Sequence, residues 1–95
     1  MRSYELMMIH RPELAEVDVR DHVGEVETAI AGEGTIISSD FWGKRRFAYE
    51  IDDIHEGYYS VLAFEAEHEM VDRLGAALGL LDTVVRHKVM RTDDK

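Results

Sequence analysis

His68 and Asp72 stand four residues apart, with Glu65, Glu67 and Glu69 close in sequence. On a helix that spacing brings an imidazole and a carboxylate together, the start of a divalent-metal site. No second histidine stands at ligand spacing, and acids favour a helix N-terminus in any case. The expectation is therefore no metal. Asp52 and Asp53 are adjacent carboxylates, and such a pair does acid–base work only when one member is buried. Only Ile51 and Ile54 flank them, so a solvated loop is expected. The other histidines, at 10, 22, 55 and 87, are scattered, and none pairs with a serine or carboxylate in triad order. Gly32-Glu33-Gly34 lacks the lysine and hydroxyl of a phosphate loop. Nothing here points to an enzyme, and no cofactor is required.

The basic residues are more informative. Lys44, Arg45 and Arg46 lie between Trp42 and Phe47-Ala48-Tyr49, and Arg86, His87, Lys88 and Arg91 lie in the last twelve residues. Cations interleaved with aromatics can neutralise phosphates and stack on bases. The competing reading is a charged sheet edge that resists aggregation.

The net charge of −9, from 20 acids and 11 bases, argues by itself against binding a polyanion. Its distribution reverses that argument. Six acids and one base lie between Glu16 and Glu33, whereas Trp42–Tyr49 and Val84–Thr92 hold bases and no acid. Patch charge governs binding, not the total. The chain has no cysteine, which excludes disulfide scaffolds, thiolate metal sites and thiol nucleophiles. No run approaches 18 apolar residues, so no membrane-spanning helix is expected, and the opening residues do not form a secretory signal.

These groups need a scaffold. Residues 4–9 are apolar on both alternating sets, as in a central strand. Val19, Val23, Val26 and Ile30 form a helical stripe, placing a helix over about 14–33 with its stop at Gly32 and Gly34. Residues 35–49 read as one long edge strand, irregular near Gly43, and 52–57 as a loop. Residues 58–66 form a second apolar strand. Val71, Leu74, Leu78 and Leu81 mark a second helix, and 83–91 a last strand. One domain over 1–95 follows, with residues 92–95 a frayed end. The order strand, helix, strand, strand, helix, strand is that of an α+β ferredoxin-like split βαβ fold, a four-stranded antiparallel sheet with both helices on one face. Right-handed crossovers put the first and third strands in the centre. Arg2 and Tyr4 should then lie near Lys88 or Arg91, giving one basic area of Arg2, Arg86, His87, Lys88 and Arg91. Leu6, Met8, Leu62, Phe64 and Val89 belong on the helix side. Met7, Ile9, Tyr59 and Val61 belong on the open face, and an apolar open face implies a partner or a ligand.

Four blocks carry a resemblance: Met1-Arg2-Ser3-Tyr4-Glu5-Leu6, Trp42-Gly43-Lys44-Arg45-Arg46-Phe47-Ala48-Tyr49, Gly57-Tyr58-Tyr59, and Val85 to Arg91. In this order they resemble the family of the sixth protein of the bacterial small ribosomal subunit, over essentially the whole chain. The resemblance implies the same split βαβ fold in a non-enzymatic, cytoplasmic, ribosome-bound protein. It implies binding to the central domain of small-subunit rRNA, as a heterodimer with the eighteenth small-subunit protein. By the same resemblance Arg2, Tyr4, Arg86, His87 and Arg91, with the neighbouring Lys88, lie where the family meets RNA. Lys44, Arg45 and Arg46 would serve RNA or the partner, and the partner would cover Met7, Ile9, Trp42, Tyr59 and Val61. One departure is Glu50, where the family usually has proline; without it the second strand can run on. The alternative is a homodimer closing its open faces around a small molecule, with Glu5 as the titratable group inside.

Overall fold

The computed structural model describes residues 1–51 and 54–92. Six elements follow one another: β1 (Arg2–His10), α1 (Glu16–Glu33), β2 (Thr35–Ile51), β3 (Ile54–Ala66), α2 (His68–Gly79) and β4 (Val84–Arg91). The strands form one antiparallel sheet in the order β2-β3-β1-β4. This is the expected split βαβ topology, with the two most apolar strands in the centre.

Alternation along the strands decides what each face carries. Tyr4, Leu6 and Met8 of β1 oppose Phe64, Leu62 and Ser60 of β3, and all six are buried. Against them pack Val19, Val23, Val26 and Ile30 of α1 and Met70, Val71 and Leu78 of α2. The helical stripes are those the spacing predicts, except that Leu81 lies beyond the end of α2 and is exposed. The odd-numbered residues of β1 take the other face, where Met7 opposes Val61 and Ile9 opposes Tyr59.

Three boundaries differ from expectation. Helix α1 starts at Glu16 and not at about residue 14; it ends at Glu33 as expected, before Gly34, whose N–H donates to the Ile30 carbonyl at 2.7 Å. Asp52 and Asp53 lie outside the described residues, but Ile54 to Gly57 are strand, not loop. Gly57 sits there because there is no room for a side chain. A Cβ at that position would meet the His10 carbonyl oxygen and Ile9 Cγ2, each at 2.7 Å. Finally, Thr92 is tied down, its N–H donating to the Ser3 carbonyl at 2.9 Å; residues 93–95 lie outside the described part. Strand β2 runs through Glu50 to Ile51, as the missing proline permits. The irregularity expected near Gly43 is a bulge between Phe41 and Gly43, with Gly43 at φ 82°; the pairing with β3 also shifts between Ile36 and Ser38.

Candidate nucleic-acid interface

The register splits the expected single basic area in two. Tyr4 pairs with Arg91, which puts Arg91 and the neighbouring Arg2 on the helix side of the sheet. Met7 pairs with Lys88 and Ile9 with Arg86, which puts those two cations on the open face. Period-two alternation forces this division, because consecutive strand residues cannot share a face.

Arg2 and Arg91 border a groove of ≈ 550 Å³ between the β1–β4 pair and the start of α2, with Tyr4, Val71 and Val89 also lining it. Tyr4 is the floor of this groove and not a free stacking ring. It is 5% exposed and packs on Phe64 at 5.7 Å between ring centroids. The hydrophobic core holds the ring, so any part it has in the groove is as its floor. His68 and Asp72 form the groove's far wall and contact each other at 3.2 Å. No third metal ligand joins them among the described residues.

His87 also differs from expectation. It shares its face with Val89 and turns toward α2, where its ring lies over Gly75 and Gly79. Half-buried there, it is a packing group between β4 and the helix, whereas Arg86, Lys88 and Arg91 are exposed.

The second cluster lies on β2, at the opposite edge. Lys44 opposes Tyr58, and its Nζ stands 5.1 Å from the centre of that ring on the helix side. Arg45 opposes Gly57 in the open-face set and Arg46 opposes Glu56 in the helix-facing set, and at this sheet edge both are exposed. They line a cleft of ≈ 500 Å³ with Trp42 and Tyr59. The indole and phenol planes are 7° apart with centroids 6.3 Å apart, and Phe47 meets Tyr59 edge-on at 65° and 5.8 Å. Ile9 lies against this aromatic group and is only 2% exposed, so it is already covered within the chain. That corrects its expected availability to a partner. Met7 and Val61 keep partial exposure in the middle of the face. Glu5, opposite Ala63 and Met90, is half-buried on the same face.

Four strands at a spacing of about 4.8 Å set the two edges roughly 14 Å apart, so cations flank an apolar strip. Most of the acids lie elsewhere, although Glu5 and Glu65 share the open face and Asp40 opposes Val61 there. Helix α1 covers β2 and β3 on the far side of the sheet and carries exposed Asp18, Asp21 and Glu25. Several of its acids are engaged locally: Glu16 with Arg20 at 3.0 Å, Glu27 with the Ser39 hydroxyl at 2.6 Å, and Glu33 with Arg73. The hydrogen bond from Arg73 holds the Glu33 carboxyl below its usual range.

Two features escaped the sequence reading. The parallel Trp42–Tyr59 pair depends on the bulge, which no residue pattern locates to one position. The buried contact of His10 with His22 was legible in principle, because position 10 continues the even-numbered, helix-facing set of β1.

Comparison with known proteins agrees with this architecture. The chain is 43% identical over 94 residues to small ribosomal subunit protein bS6 of Carboxydothermus hydrogenoformans, covering 98% of each. It is 36% identical over 94 residues to the protein of that name from Clostridium perfringens strain 13, covering 98% of this chain and 99% of that one. The crystal structure of 30S ribosomal protein S6 from Thermotoga maritima superposes with a TM-score of 0.90 at 29% identity, covering 98% of this chain and 89% of that one. That structure shares the four-stranded sheet and paired helices of the split βαβ fold. The model of the family described as ribosomal protein S6 matches residues 3–91. The chain therefore belongs to the ribosomal protein S6 family, whose members are structural proteins of the ribosome and not enzymes.

Proposed function

We propose that this protein is a structural component of the small ribosomal subunit that binds the central domain of its rRNA together with the eighteenth small-subunit protein. The observation that carries this reading is the segregation of charge. Exposed Arg86, Lys88 and Arg45 flank the open face, with Arg46 beside Arg45 in the cleft at the β2 edge; Arg2 and Arg91 border the α2 groove, and the acidic α1 lies behind β2 and β3. Cations so arranged neutralise phosphates and fix the orientation of an RNA, while its folded shape and the partner supply selectivity. The apolar surface of Met7 and Val61, bordered by Trp42 and Tyr59, is the partner's seat, since burying it removes apolar area from water.

The test is binding of a central-domain rRNA fragment with and without the eighteenth protein. Tight binding that requires the partner is the expected result. A folded protein that binds neither the RNA nor the partner would return the open face to the homodimer alternative.

A further inference from the structure

The cleft of Trp42, Tyr59, Arg45 and Arg46 has two properties that ask for one kind of occupant. The first is a wet π surface. Trp42 is 52% exposed, although indole is a large apolar group. The bulge at Phe41/Gly43 gives Trp42 no cross-strand partner of its own, and its ring lies within 7° of parallel to Tyr59. Phe47 stands edge-on to Tyr59 at 65° with ring centroids 5.8 Å apart, and buried Ile9 opposes Tyr59 on β1. The platform is thus built before any ligand arrives. The second property is charge: exposed Arg45 and Arg46 line the same cleft of ≈ 500 Å³.

We propose that this cleft takes an unpaired nucleotide, its base stacked on the Trp42–Tyr59 surface and its phosphate held by Arg45 and Arg46. An apolar protein segment would satisfy the rings but desolvate two guanidinium groups without an anion, which is costly. Duplex RNA would satisfy the guanidinium groups but offer no free base to the rings. A single-stranded nucleotide supplies both a flat π face and an anion. The proposal rests on the RNA-binding reading and assigns the β2 rim of the open face to RNA, leaving Met7 and Val61 to the protein partner.

Trp42 is the sole tryptophan, so its fluorescence reports this cleft alone. The full chain is titrated with a short single-stranded oligoadenylate and with an abasic oligomer of equal length and charge. Saturable quenching by the oligoadenylate is expected. The abasic oligomer and the Tyr59→Ala variant should each bind about tenfold more weakly, while Tyr59→Phe retains affinity. Arg45→Gln with Arg46→Gln should reduce the slope of log K against log salt by about 1.4. Equal binding of the abasic oligomer overturns the proposal without any variant. So does a blue-shifted Trp42 emission on adding the eighteenth protein with no response to oligoadenylate, which would make the cleft a protein seat. If the cleft ignores oligoadenylate while the rRNA fragment still binds, the nucleotide site alone fails. If no RNA binds, both readings fail.

Discussion

His10 Nε2 and His22 Nδ1 lie 2.7 Å apart, with the two rings at 75°. His10 closes the helix-facing row of β1 and is 1% exposed, and His22 meets it from α1. At that distance one nitrogen donates and the other accepts, so the pair holds a single proton between them. Burial, then repulsion from His22, pushes the His10 imidazole down from 6.5 to about 4.

Stability should therefore depend on pH through this pair. The folded state resists protonating His10, whereas the unfolded chain accepts the proton at about 6.5. The contribution is complete above that value, declines as pH falls toward about 4, and is level below it. The total loss is on the order of 3 kcal/mol. His10→Leu, which replaces the imidazole with an apolar group of similar reach, should remove most of this loss. Urea unfolding of both proteins at pH 7 and at pH near 4.5 checks it. Equal losses in the two proteins would exclude the histidine pair as the cause and leave the carboxylates.

Two glycines should respond oppositely to alanine. Gly24 lies within α1 with nothing within 4 Å of where a Cβ would stand, so Gly24→Ala should stabilise by about 0.5–1 kcal/mol through helix propensity. At Gly57 the new methyl would press on the His10 carbonyl oxygen at 2.7 Å, and backbone must move. Gly57→Ala should destabilise by about 1–3 kcal/mol. Thermal unfolding resolves both, at roughly 4–8 °C per kcal/mol for a domain of this size.

The floor of the Arg2–Arg91 groove depends on Phe64. This ring is fully buried and carries Tyr4 at 5.7 Å. Phe64→Ala should cost about 3–5 kcal/mol. Met90→Ala, at an exposed position on the open face, should change stability by no more than about 0.5 kcal/mol. Denaturant midpoints give the comparison directly.

Most of the fold was legible because the chain obeys its two periods. Val19, Val23, Val26 and Ile30 keep helical spacing, and Leu6, Met8, Leu62 and Phe64 keep strand alternation; all are buried where that spacing puts them. The start of β3 was hidden because Asp52, Asp53, His55 and Glu56 make the stretch polar, and His55 and Glu56 stay exposed although they are strand. The site was legible as residue types but not as faces. Grouping Arg86, His87, Lys88 and Arg91 by nearness in sequence ignored the alternation that sends His87 to α2 and Lys88 to the open face. Tyr4 entered the RNA-facing set through the family resemblance alone, while its even-numbered position, shared with Leu6 and Met8, places its ring in the core.

The most direct test of the central claim compares charge reversal on the two sides of the molecule. Arg2→Glu with Arg91→Glu, and separately Glu25→Lys, are assayed for binding the central-domain rRNA with the eighteenth protein over a salt series. Phosphate contacts make affinity fall as salt rises, and each lost contact flattens that dependence. The arginine pair should lose affinity strongly and show a shallower slope, and Glu25→Lys should leave both nearly unchanged. A loss with the arginine pair matched by a gain of about half that size with Glu25→Lys would contradict the account, because net charge and not the arginine-lined groove would then govern binding.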